Sequence, residues 1–214
     1  MKKQLIFICI VAAVLQSARE EKWEPTTHEC SLEFPDGSWT LQKGRDFEHG
    51  QIILSADNRE QTKTIAVFKY QVAPSFSVQD PRFVAGVTNG FAKSGYRLLN
   101  AGYTNINGYT AHWLNGEAFD SSKKVSTLRY ALCANGRLYQ LVGQCIGDSA
   151  LNDKELIAIL TSFQINTKAL LPSAPVSSDN SLAYRIGLIT GFLLVLVLVL
   201  GLILRSRSKR QTRT

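Results

Sequence analysis

Residues 186–204 read IGLITGFLLVLVLVLGLIL, a run without charge or proline that decides where the rest of the chain can be. At about 1.5 Å of rise per residue, a helix of this length covers about 28 Å, the thickness of a bilayer's hydrocarbon layer. A helix apolar on every face needs a far larger protein around it to serve as a core helix. The run therefore predicts one transmembrane helix at 186–204, in contact with membrane lipid. Arg205, Arg207, Lys209, Arg210 and Arg213 follow at once. Cations stay on the cytoplasmic side, so the tail 205–214 is expected inside and everything before the helix outside. Gly187-x-x-x-Gly191 has the small-residue spacing that lets two such helices approach closely, which makes Gly187 and Gly191 the candidate face for a weak homodimer.

The other end carries the matching signal. Lys2-Lys3, an apolar run at 5–15, then Gln16-Ser17-Ala18 and the charged Arg19-Glu20-Glu21 follow the order of a secretory signal peptide, expected over 1–18. The apolar run is too short to span a bilayer. Residues 167–185 hold Pro172, Pro175 and a serine cluster without apolar periodicity, which predicts a linker. Between leader and linker lies one domain, 19–166, of ordinary size. The expected address is a bacterial inner membrane with this domain facing the periplasm.

The net charge of +7 and pI near 9.3 would suggest a nucleic-acid partner if the charge lay on the domain. It does not. Lys2, Lys3 and the five cations of the tail account for all of it, so the domain is neutral and lacks the field that phosphate binding needs. No nucleic acid is expected.

Within the domain, residues 30–34 alternate apolar and polar positions before Pro35-Asp36-Gly37, and 39–41 are expected to return as the next strand. Runs at 50–56 and 62–72 predict a hairpin. Asp80-Pro81 is a helix start, and Val84, Val87 and Phe91 recur at helical spacing until Gly95. Two further hairpins are expected around Asn107-Gly108 and Asn135-Gly136, because Asn-Gly accepts the positive φ of a tight turn. A closing helix is expected over 148–160, with a short strand at 163–165. The class is α+β, an antiparallel sheet with helices.

The segments CSLEFPDGSW, FAKSGYRLL, YTNINGYTAHWL, GRLYQLVGQC and LIAILTSFQI, in this order, resemble the PsbP-like or Mog-type fold over nearly all of residues 30–165. That family includes the extrinsic PsbP protein of photosystem II, a Ran-binding nuclear import factor and many exported bacterial proteins. The resemblance implies an antiparallel sheet sandwiched between helices, and it implies docking rather than turnover. It transfers no functional residue, and the C-terminal transmembrane helix departs from the family.

Three cysteines follow the leader: Cys30, Cys133 and Cys145. A two-residue turn at Asn135-Gly136 sets Cys133 opposite Leu138 and Cys145 opposite Ser126, about 23 Å apart along the strand, too far for a bridge. The same register points Cys145 with Leu128, Tyr130, Leu132, Tyr139 and Leu141, and Cys133 to the other face. The candidate disulfide is Cys30 with Cys145, the alternative being three unreactive thiols. His28, His49 and His112 are too scattered for a local metal motif, and no nucleophile elbow, phosphate loop, H-E-x-x-H or C-x-x-C is present. No catalytic residue, cofactor or metal is expected. Trp23, Trp39 and Trp113 suit core or half-buried strand positions. The expectation is a membrane-anchored extracytoplasmic binding module without catalytic activity that docks a protein partner. The competing reading is a small-ligand receptor or enzyme with a pocket between sheet and helix.

Overall fold

The computed structural model describes residues 21–25, 29–35, 37–47, 50–120 and 123–166. The expected leader, linker, membrane helix and tail lie outside the described residues, and with them Gly187, Gly191, His28 and His49. In chain order the elements are β1 (Glu21–Trp23), β2 (Cys30–Phe34), β3 (Trp39–Phe47), β4 (Gly50–Asn58), β5 (Lys63–Gln71), α1 (Pro81–Lys93), β6 (Arg97–Ile106), β7 (Tyr109–Asp120), β8 (Lys123–Ala134), β9 (Arg137–Ile146), α2 (Lys154–Thr161) and β10 (Gln164–Ile165).

Two antiparallel meanders make one seven-stranded sheet in the order β3-β4-β5-β9-β8-β7-β6. From β5 the chain crosses one face as α1, begins again at the far edge as β6, and winds back strand by strand until β9 pairs with β5. The Asn-Gly turns close as expected: Asn107 and Gly108 have φ of 48° and 90°, Asn135 and Gly136 of 48° and 71°. Cys133 pairs with Leu138 and Cys145 with Ser126, the register read from the turn.

Helix α1 starts where expected. The Asp80 carboxylate accepts from the Arg82 backbone N–H at 2.8 Å, and Pro81 occupies the first turn, where its missing N–H costs nothing. Phe83, Gly86, Val87, Gly90 and Phe91 form its buried face. They pack on Ala66, Phe68, Tyr70, Leu114, Ala131, Leu138 and Val142 of the sheet.

The opposite face is built differently from the expected helical layer. There β2 pairs with β1 and β10 in a separate three-stranded sheet, which packs its Cys30, Leu32 and Phe34 on Leu54, Ile65, Val67, Leu128, Tyr139 and Leu141. Helix α2 adds Leu156, Ile159 and Leu160. The molecule is thus mostly antiparallel sheet, and a sheet sandwiched between helices is not what forms. The reason is local. The cap of the last helix is Asp153 rather than Asp148, so α2 has 8 residues and is too short to cover seven strands. Neither α1, of 13 residues, nor α2 is long and apolar enough to cross a membrane. The expected β2–β3 hairpin does not form either, since among the described residues β3 pairs only with β4.

Candidate functional site: the open edge at β6 and the polar layer beneath α1

Among the described residues β6 is the last strand of the large sheet, bonded to β7 alone. Every position from Arg97 to Asn105 is exposed or half-exposed, and only Ile106 is buried. Leu98, Leu99 and Tyr103 show 37%, 41% and 49% of their surfaces, and Phe119 near the end of β7 shows 73%. A two-residue turn makes Ile106 and Tyr109 a hydrogen-bonded pair, and such pairs alternate along an antiparallel ladder. Thr104 and Gly102 therefore spend their backbone groups on β7. Ala101, Tyr103 and Asn105 point theirs at the open edge. Beyond them the register shifts between Leu98 and Asn100, leaving Leu99 as a bulge.

The strand is held firmly. Arg97 pairs with Glu117 at its start. At its far end the Asn107 side-chain amide donates to the Phe163 carbonyl at 2.8 Å. Midway the Tyr103 ring lies 5.3 Å from that of His112, which meets Phe83 of α1 at 6.3 Å. The other edge of the same sheet, β3, carries Gln42, Arg45 and Asp46, side chains of the kind that keep a free edge from pairing. After Arg97, β6 carries no charge at all.

Beneath α1 the sheet presents polar side chains where an apolar face would be expected. Arg129, Gln140, His112, Thr127 and Gln144 are all buried, as is Tyr70. Gln144 donates to the Tyr96 hydroxyl at 3.1 Å and to the Thr127 hydroxyl at 3.2 Å. Register places the rest as diagonal neighbours on adjacent strands: Tyr70 beside Gln140, Gln140 beside Arg129, Arg129 beside His112. Burial pushes the Arg129 guanidinium down to about 10 and the Tyr70 phenol upward. Burial, and then the charge of Arg129, push the His112 imidazole down to about 4, so it is neutral at pH 7. The Tyr70 hydroxyl and the Gln140 amide nitrogen are buried without a hydrogen-bond partner among the described residues.

Two ionic clusters sit on the other face. Glu29, almost fully buried, receives Lys69 Nζ at 2.6 Å and Arg137 Nε at 3.7 Å, which ties the start of β2 to β5 and β9. Lys63 Nζ meets Asp153 at 2.8 Å and Glu155 at 2.6 Å, and Trp39 Nε1 donates to Glu155 at 3.1 Å. Both fasten the small layer to the large sheet.

Cys30 and Cys145 share one core, as their parity implied, but the structure does not bring them together. Cys30 sits among Glu29, Lys69 and Tyr139; Cys145 lies six residues further along β9, about 20 Å of strand, beside Lys63 and Asp153. Cys30, Cys133 and Cys145 are free thiols, each pushed up to about 12 by burial first of all. Among the described residues no three His, Cys, Asp or Glu side chains stand together as metal ligands.

No family model and no curated protein matches the chain. Solved bacterial structures resemble it at low identity. One, from Bacteroides thetaiotaomicron, is 11% identical with a TM-score of 0.45, covering 70% of this chain and 50% of its own. LpqN, involved in cell envelope biogenesis of Mycobacterium tuberculosis, is 12% identical with a TM-score of 0.42, covering 69% and 90%. PA94 from Pseudomonas aeruginosa is 13% identical with a TM-score of 0.30, covering 59% and 83%. The chain spans half the length of the first of these. The likeness is one of β-rich architecture; it assigns neither a family nor a role, and no PsbP-like or Mog-type family is established by it.

Proposed function

We propose that the domain is a docking module, carried outside the cytoplasm on an anchor at 186–204, that takes an extended segment of a protein partner onto β6. The observation that carries this reading is the contrast between the two edges of one sheet. β3 carries charge in its second half, at Arg45 and Asp46, whereas β6 after Arg97 offers an uncharged, firmly held row of backbone groups that no described strand pairs, flanked by exposed Leu98 and Tyr103. Strand addition draws affinity from main-chain bonds and specificity from alternate side chains. Ala101, Tyr103 and Asn105 supply the bonds, and the partner's apolar side chains would meet Leu98 and Tyr103 on the α1 side of the sheet.

Proline scanning of the edge tests it. Ala101→Pro removes a donor that the β6–β7 ladder does not use, so the domain should keep its melting temperature. With a photo-reactive side chain at position 103 of the full chain in its native envelope, cross-links should map to an extended segment of one protein and vanish in Ala101→Pro. The same probe at Arg45 on β3 should capture nothing specific. Cross-links that survive the proline, or that favour position 45, would refute the reading.

A further inference from the structure

We infer that the polar layer beneath α1 is a second binding site, for a small anion of halide or carboxylate size that accepts hydrogen bonds from Tyr70 and Gln140 beside Arg129. The site is independent of the β6 edge. Tyr70 and Gln140 are 2% and 1% exposed, and the hydroxyl of one and the amide nitrogen of the other lack a hydrogen-bond partner among the described residues. A buried donor left unmade costs about 1–3 kcal/mol, so two on neighbouring strands make a layer that a guest would complete.

The chemistry of that guest follows from what surrounds it. Tyr70 on β5 and Gln140 on β9 are diagonal neighbours on one face, with Cβ atoms about 7 Å apart, close enough for both side chains to reach one small acceptor. Gln140 is in turn diagonal to Arg129 on β8. Arg129 is engaged in its own right and contributes a positive charge whose field reaches both Tyr70 and His112. Among the described residues the one buried acid is Glu29, which sits on the opposite face with Lys69 and Arg137. Two donors beside a cation in a low-dielectric layer select an acceptor with negative charge over a neutral one. Above the layer, α1 turns Gly86 and Gly90 inward, one turn apart, so no side chain descends from the helix at those positions. Tyr70 and Gln140 are closed off from solvent, which holds the guest to the size of a monatomic anion or a one- or two-carbon carboxylate and keeps out a bulky polyol acid.

The test uses the full chain in detergent, unfolded thermally in sodium chloride, bromide or formate against sodium gluconate at equal ionic strength. A saturable rise in melting temperature is expected for the small anions only. Tyr70→Phe and Gln140→Met should each weaken the apparent affinity about tenfold while remaining folded, because each removes one charge-assisted hydrogen bond. Glu60→Gln, in the exposed turn between β4 and β5, should leave the affinity unchanged. A crystal grown with bromide should show an anomalous peak between Tyr70 and Gln140. Ordered water there instead, or a rise that gluconate reproduces, would overturn the proposal. So would one that both variants retain, the mark of an adventitious ion only.

Discussion

Acidification should destabilise this domain through His112, and the size of the effect follows from its surroundings. The imidazole is buried between the rings of Phe83 and Tyr103 and within the field of Arg129, so its pKa falls from 6.5 to about 4 on folding. A depressed folded pKa means that the unfolded chain takes up a proton that the folded one refuses. Stability is then fully present above the unfolded value and is lost as pH falls toward the folded one. Linkage gives a loss of about 2 kcal/mol between pH 7 and pH 5, and about 3 kcal/mol by pH 4. Domain stabilities are about 5–15 kcal/mol, so this is a large share. The assay is urea unfolding at pH 7, 6 and 5, followed by tryptophan fluorescence, for the natural chain and for His112→Gln. The difference between the two curves isolates this histidine from every other titrating group. The natural chain should lose about 2 kcal/mol more than the variant over that range. Parallel losses in both would show that His112 titrates normally, and that the layer beneath α1 is wetter than its packing implies.

Three further outcomes follow from the packing. Gly116→Ala would place a methyl group 2.6 Å from the Arg97 carbonyl oxygen and against the Phe91 ring, forcing β6 and α1 apart; thermal denaturation should show a loss of about 2 kcal/mol or more. Glu29→Gln leaves Lys69 and Arg137 without their carboxylate in a nearly dry setting; a loss of about 3 kcal/mol is expected in denaturant titration, with less lost when Lys69→Met is added. The three thiols, raised by burial to about 12, should react with a disulfide reagent at pH 8 at least about a hundredfold more slowly than in denatured chain.

What the sequence made legible was local. The two Asn-Gly turns announced their hairpins, and with them the register that sets Cys133 and Cys145 on opposite faces. Asp80-Pro81 announced α1. What it hid was which surfaces meet at long range. Residues 30–34 read as a strand, yet nothing in their alternation says that β10, far along the chain, will be their partner rather than β3. From sequence the closing helix reads too long, because Asp148 and Asp153 are both acceptable caps; Asp153 is the one used, and it starts the helix whose Leu156 packs against Gly143. The polar layer was missed for a related reason. Thr127, Arg129 and Gln140 fall on strand positions that simple alternation gives to solvent, and burial comes only when α1 is laid across them. The signal available was the unusual apolar density of β8 and β9, which are buried on both faces. The open edge left no mark in periodicity, because strand order decides which strand is last.

Residue-resolved amide exchange across β6 tests most directly whether a firmly held edge stands open to a partner strand. The amides of Ala101, Tyr103 and Asn105 should exchange almost as fast as in unfolded chain, while those of Gly102, Thr104 and Ile106 stay protected by β7. Equal protection at all six would mean that the edge is already covered, and the docking account would fail with it.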